Sequence, residues 1–266
     1  MGKVVFITGA SSGIGLAAAM ALHAKGYIVY GGARSMLSVD QPFNKLSLDV
    51  TDTAAVNEAV DRIIKTHGRI DVLINSAGYN LAGPFELLEE EEIKRQMDVN
   101  FFGTLRTIKA VCPFMKTMGG GRIINISSIA GLMGLPYQSI YSASKFAMEG
   151  LSESLSMELA AFNIQVTVLS PGDIKTNITA NRKLLRHSLP GTSYEHSFES
   201  ALKKIESDEQ KGLKVEAIAN LIVKIIDAKQ PSFRYIPALF LQRFSVLLKR
   251  LLPYRVFGRM LSGYYR

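Results

Sequence analysis

The segment Tyr141-Ser142-Ala143-Ser144-Lys145 places a phenol and an ammonium four residues apart. It opens a run of helical period, Tyr141–Phe162, and residues i and i+4 share a helix face, so the two side chains project together. A free tyrosine, with a pKa near ~10, is a reluctant anion. A lysine beside it favours the phenolate and lowers that pKa, so Tyr141 is expected to serve as acid in one direction and base in the other. Ser128 ends the strand-like run Arg122–Ser127, where a hydroxyl suits hydrogen bonding to an oxygen that is gaining charge.

A second constellation is Thr8-Gly9-Ala10-Ser11-Ser12-Gly13-Ile14-Gly15, between the first strand-like run and the first helical one. Glycines there allow a tight turn and close approach of backbone to a pyrophosphate, and free N–H groups at the helix start favour an anion. The strand Tyr27–Tyr30 runs into Gly31-Gly32-Ala33-Arg34. An acid at this place would bind a ribose 2′-hydroxyl; an arginine without an acid suits a 2′-phosphate.

Such residues must be held by a scaffold, and its elements are legible. Val4–Thr8, Tyr27–Tyr30, Lys45–Leu48, Val72–Asn75, Ile123–Ile126 and Gln165–Leu169 are apolar runs of strand length. Between and after them lie segments of helical period: Ile14–Lys25, Ala54–Thr66, Glu91–Met118, Tyr141–Phe162 and Val215–Ala228. Strands that are almost continuously apolar are covered on both faces, as parallel strands are when crossover helices flank them. The expected fold is α/β, a Rossmann-type doubly wound parallel sheet that binds its ligand beyond the carboxyl ends of the strands.

Thr-Gly-x-x-x-Gly-x-Gly at this position resembles the fingerprint of the short-chain dehydrogenase/reductase family, and further family marks follow in order. Leu48-Asp49-Val50 is similar to the family's adenine-binding segment, and Asn75-Ser76-Ala77-Gly78 to its Asn-Asn-Ala-Gly turn, with Ser76 in place of the second Asn. Ser128 lies thirteen positions before Tyr141, as in the family, and Asn100 resembles the fourth catalytic residue, which holds a relay water to the lysine. Pro171-Gly172-Asp173-Ile174-Lys175-Thr176 is similar to the segment that clasps the nicotinamide, through the Ile174 backbone and Thr176. The resemblance covers residues 4–176 and implies hydride transfer between NADP(H) and a carbonyl or alcohol carbon, with Asn100, Ser128, Tyr141 and Lys145 as the catalytic set. It implies cofactor contacts from Gly9, Ser11, Ser12, Gly13, Ile14 and Gly15, from Arg34, Asp49 and Val50, from Asn75, Ala77 and Gly78, and from Tyr141, Lys145, Pro171, Gly172, Ile174 and Thr176, with no metal. It points to NADP-preferring members of the hydroxysteroid, retinol dehydrogenase-like and acylglycerone-phosphate reductase-like kinds, and to a homodimer or homotetramer paired through Asn100–Met118 and Tyr141–Phe162.

The 266 residues, 47% hydrophobic and 20% charged, suit one globular domain. Residues 1–231 are expected to form it, with 177–212 as a variable substrate lid and 232–266 as a basic, helical, amphipathic extension. The lid mixes a helix-like stretch, Ala180–His187, with Leu189-Pro190-Gly191. Leu132-Met133-Gly134-Leu135-Pro136-Tyr137 is almost wholly apolar and carries no Arg or Lys for an acidic substrate, so a lipophilic ketone, aldehyde or secondary alcohol is expected, steroid, retinoid or lipid-like. An NAD-linked alcohol dehydrogenase and a catalytically silent dinucleotide-binding or scaffold protein are the alternatives.

The single cysteine, Cys112, supports neither a disulfide framework nor a zinc site. A strand beginning at Val4 leaves no room for a leader, and no apolar run reaches spanning length, so a cytoplasmic location is expected. Of the 31 Lys and Arg residues eight lie beyond Asp227, where there is no Asp or Glu, leaving 23 basic against 23 acidic residues before them. With a neutral body, no nucleic-acid partner is expected. At helical pitch Phe240, Leu241, Phe244, Leu247, Leu248, Leu251 and Leu252 gather on one arc, and Gln242, Arg243, Ser245, Lys249 and Arg250 on the other. The apolar arc has two resting places: peripheral contact with an anionic membrane, or the body of the protein as a cover or subunit contact.

Overall fold

A computed structural model describes residues 2–38, 40–175, 182–185 and 189–265. The strands β1 (Val4–Thr8), β2 (Ile28–Ala33), β3 (Asn44–Ser47) and β4 (Val72–Asn75) alternate with the helices α1 (Gly13–Ala24) and α2 (Thr53–His67). After the short β5 (Leu81–Ala82) come α3 (Glu90–Met97), α4 (Gly103–Thr117), β6 (Gly121–Ile126), α5 (Ser139–Glu158) and β7 (Ile164–Leu169). The remaining elements are β8 (Ile174–Lys175), β9 (Lys183–Leu184), α6 (Glu195–Gln210), β10 (Leu213–Lys214), α7 (Val215–Asp227), β11 (Arg234–Tyr235), α8 (Phe240–Leu251) and α9 (Tyr254–Tyr264).

Seven strands form one parallel sheet in the order β11-β7-β6-β4-β1-β2-β3, the doubly wound fold expected. Alternation within the apolar strands splits the core in two. Val5 and Ile7 of β1 face α1 and α7, packing with Leu22, Ile218 and Ile222; Val4 and Phe6 face the other layer, packing with Val60, Ile63, Ile108 and Val111. Order reverses between β1 and β4, whose carboxyl ends Thr8 and Asn75 lie side by side, so the crevice for a ligand opens there.

Several elements depart from the reading of the sequence. The expected helix Glu91–Met118 is interrupted by a π turn at Asp98–Phe102, an insertion that leaves the apolar period almost unchanged. The helix-like stretch Ala180–His187 is contradicted where it is described: Lys183–Leu184 is a strand pairing with Leu81–Ala82. Its residues 180–181 and 186–187 lie outside the described residues. Arg234–Tyr235 adds a seventh strand to the sheet beyond residue 231. Two residues carry too little pattern to announce a strand, but Arg234 is pinned there by an ion pair to buried Glu149, which also accepts from Ser170 at 2.6 Å.

Among the described residues no helix is long and apolar enough to cross a membrane.

Candidate active site

A cleft of about 680 Å³ opens over the carboxyl ends of the strands. At one end lie Gly9, Ser11, Ser12, Gly13 and Ile14. Gly9 has φ +69°, and a Cβ there would stand 2.7 Å from the Ala77 backbone, so the turn after β1 and the turn after β4 touch. Gly15 lies beneath the cleft, where a side chain would strike the Gly9 carbonyl. The Thr8 hydroxyl accepts from the N–H groups of Ser76 and Ala77, each at 3.2 Å, and so braces the turn in which Ser76 replaces an Asn. Ser12 at the start of α1 makes no side-chain cap and the first turn holds no acid, which leaves its N–H groups to an anion.

Arg34, Asp49 and Val50 line the same end. Burial pushes the Asp49 carboxyl up, but hydrogen bonds from the Thr51 N–H (3.0 Å) and hydroxyl (2.8 Å), with Arg34 and Arg95 near, hold it below the ordinary carboxylate value. Arg95, from α3, also lines the cleft. Nothing in its sequence neighbourhood distinguishes it from a solvated helix residue.

In mid-cleft, Ser128, Tyr141 and Lys145 come together. The Ser128 hydroxyl lies close enough to the Tyr141 phenol to favour its ionised form. Lys145 donates to the Ile126 carbonyl at 2.8 Å, with its Nζ 5.7 Å from the Tyr141 ring centre. Burial pushes the ammonium down to about 8, against a smaller upward pull from Glu149. Burial of the Tyr141 phenol works against the lowering expected from Lys145. It raises the pKa, and the Ser128 hydroxyl only partly opposes this. A motif shows which charges are near, whereas desolvation depends on everything packed around the ring.

Asn100 and Asn75 do not line the cleft. Asn100 is fully buried in the π turn; its side chain accepts from the Tyr79 N–H at 3.0 Å and donates to the Tyr79 carbonyl (2.9 Å) and to Ser144 Oγ (3.1 Å). Ser144 in turn donates to the Tyr141 carbonyl, so Asn100 reaches the centre through α5. Asn75 donates to Asn125 at 2.8 Å and accepts from Thr107 at 2.6 Å, tying β4 to β6 and α4. Ala77, Gly78, Pro171, Gly172 and Ile174 line the cleft, and Thr176 lies outside the described residues.

On the far side, Met133 and Leu135 meet Leu248, Phe257 and Leu261 of the carboxyl-terminal helices. This wall is apolar as expected, but the whole is less so. Gln138 lines it, held by a 2.6 Å hydrogen bond from Asn80, and Lys183, Asp173, Asp208 and Glu209 border it. These come from elements distant in sequence, so no local window displays them. Asp173 carries a carboxyl that burial and the neighbouring Glu209 and Asp208 push up to about 6, against the Gln242 hydrogen bond and Arg182. Among the described residues no cluster of metal-ligating side chains exists.

The donor set fits a dinucleotide. It offers an uncapped helix start at a glycine turn, two arginines beside one end, and, in mid-cleft, the Ser127 hydroxyl, buried without a hydrogen-bond partner.

A fold of this topology with this cleft defines a class, and residues 3–185 match the family model of short chain dehydrogenases. The chain belongs to the short-chain dehydrogenase/reductase family. It is 45% identical over 232 residues to a 3-ketodihydrosphingosine reductase of Bacteroides thetaiotaomicron, covering 87% of this chain and 86% of that protein. It is 33% identical over 266 residues to human 17-beta-hydroxysteroid dehydrogenase type 1, covering 92% and 80%. Its structure is similar to that of a Burkholderia cenocepacia short chain dehydrogenase in complex with NADP, with a TM-score of 0.76 and 26% identity over 98% of this chain and 97% of that one.

Proposed function

We propose that this oxidoreductase is an NADP(H)-dependent reductase of lipophilic ketones, with Tyr141 as general acid. The observation that carries this reading is the convergence of Ser128, Tyr141 and buried Lys145 on one cleft, with the lysine Nζ 5.7 Å from the Tyr141 ring centre. A substrate carbonyl oxygen between the two hydroxyls receives a proton from Tyr141 and a hydrogen bond from Ser128. The Lys145 ammonium stabilises the phenolate left behind, and Asn100 positions the turn of α5 that carries both groups. In the oxidative direction the phenolate takes the proton from a secondary alcohol.

Gly9, Ser11, Ser12, Gly13 and Ile14 would hold the pyrophosphate, and Arg34 with Arg95 the 2′-phosphate. Asp49 and Val50 would meet the adenine, Ala77 and Gly78 the adjoining ribose, Tyr141 and Lys145 the nicotinamide ribose, and Pro171, Gly172, Ile174 and Thr176 the nicotinamide. When bound, this cofactor supplies or accepts the hydride. The NADP complex of the Burkholderia structure and the two arginines support the phosphorylated form.

The relatives are named for a sphingoid ketone and a hydroxysteroid, and the wall of Met133, Leu135, Leu248, Phe257 and Leu261 suits an apolar body of either kind. A long-chain ketone of the sphingoid type is the substrate favoured by the higher identity. The cytoplasm is the assigned compartment, and exposed Phe102, Met118, Met157 and Phe162 on and beside α4 and α5 support a homodimer or homotetramer. The test is NADPH and NADH oxidation against 3-ketodihydrosphingosine, a steroid ketone and short polar ketones. Faster turnover of a lipophilic ketone with NADPH is expected; preference for NADH, or for the polar ketones, would overturn the reading.

A further inference from the structure

Helix α8 sits on the body the wrong way round for a helix surrounded by water. Phe240, Phe244, Leu247 and Leu251 are spaced i, i+4, i+7 and i+11, which places them on one face. An amphipathic helix docking from water turns such a face to the core. Here it points outward: Phe240 is 79% exposed, Leu251 69%, Leu247 49% and Phe244 45%, with the rings of Phe240 and Phe244 stacked at 6.1 Å. The mixed face points inward. Gln242 accepts from the Asp173 N–H at 3.2 Å and donates to its carboxylate, and Lys249 donates to the Leu132 carbonyl and lies over the Phe146 ring at 4.6 Å. Val246 is the one buried residue of α8. Of the apolar arc, the edge residues Leu248 and Leu252 reach the body, and the centre does not.

The surroundings of this face say what covers it. Pro253 turns the chain into α9, where Tyr254 extends the exposed stripe at 83% exposure. Arg243 and Arg250 border the arc, Arg255 and Arg259 follow in α9, and all four are exposed. No Asp or Glu follows Asp227. A second copy laid on this face about a two-fold axis would set arginine against arginine with no acid in the segment to pair them. An anionic surface pairs them all.

We propose that α8 and α9 lie on an anionic phospholipid bilayer, with Phe240, Phe244, Leu247, Leu251 and Tyr254 in the acyl boundary and the four arginines at headgroup phosphates. The same pair roofs the cleft. Leu241 and Met260 line it and yet are more than half exposed, so the mouth opens where the bilayer would lie, and a lipophilic ligand passes from bilayer to cleft without crossing water. The surface assignment stands apart from the reaction assigned above, since its test needs no turnover.

The test is co-sedimentation of the full chain with phosphatidylcholine vesicles, with and without phosphatidylglycerol, at low and high salt. A first variant carries Phe240→Ser, Leu247→Ser and Leu251→Ser, none of which lines the cleft; a second carries Arg243→Glu and Arg250→Glu. Wild type is expected to bind anionic vesicles roughly tenfold or more tightly than neutral ones, with salt weakening the binding. Both variants should lose most of that binding while keeping the wild-type melting temperature and oligomer size. Wild type remaining in the supernatant, or the first variant binding as wild type does, overturns the proposal. So does a first variant that changes oligomer size with vesicle binding unmoved, which assigns the face to a second copy. If that variant does not fold, the charge-reversal variant decides alone.

Discussion

Lys145 donates from Nζ to the carbonyl oxygen of Ile126 at 2.8 Å, which anchors an ammonium beside Tyr141 at the end of the central sheet. The carbonyl accepts one of three N–H bonds, and burial takes the rest of the price, bringing the group down to about 8. In the proposed mechanism the ammonium, charged below that value, stabilises the phenolate formed as Tyr141 gives up its proton, and above it that help is lost. The reductive kcat/KM, which reports the free enzyme, should be level at neutral pH and fall above about pH 8. Lys145→Arg, in which the cation stays charged, should shift the fall upward even as it lowers the plateau. A profile unchanged by that substitution would remove Lys145 from the proton path.

Tyr141→Phe removes the proposed proton donor and leaves the ring. Reduction should slow by roughly 10²–10⁴-fold, while NADPH binding, followed by nucleotide fluorescence, stays nearly constant. Ser128→Ala should cost about 10²–10³-fold in kcat by deleting one donor to the developing charge. If Tyr141→Phe retains a substantial fraction of the rate, another group supplies the proton.

Arg34 and Arg95 both act on Asp49 and line one end of the cleft. Loss of a charge-assisted contact to phosphate costs roughly 1.5–3 kcal/mol, and an exposed arginine falls toward the low end. Arg34→Ala should weaken NADPH binding about tenfold and hardly change NADH binding, with Arg95→Ala acting in the same direction. Calorimetric titration of both nucleotides checks this, and equal losses for the two would refute a 2′-phosphate site.

Asp173 is held at about 6, above the ~3.9 of an unfolded aspartate. The folded state therefore binds the extra proton between those values, and the stability it lends at low pH is lost as pH rises through 6. Asp173→Asn keeps an oxygen for Gln242 and removes the charge. Thermal melts should show a higher Tm than wild type at pH 8 and little difference at pH 5. An equal shift at both pH values would show that the change acts through packing rather than ionisation.

The apolar runs, the glycine turn and the order of Ser128, Tyr141 and Lys145 were legible as written, because each is a local pattern with a fixed period or spacing. A parallel sheet needs continuous apolar strands, and a helix puts i and i+4 on one face whatever surrounds it. Tertiary structure alone decided what depends on residues far apart in the chain. Asn75 and Asn100 read as site residues, but the partners that hold them, Thr107, Asn125, Tyr79 and Ser144, come from other elements. Arg95 reaches the cleft only because α3 packs across its end. The Tyr141 phenol is raised rather than lowered because its desolvation is the sum of everything around it. The sequence also determined that α8 is amphipathic, but not which face it turns inward. Hydrophobic periodicity records only the two sides of a helix, and the bonds of Gln242 to Asp173 and of Lys249 to Leu132 set the orientation.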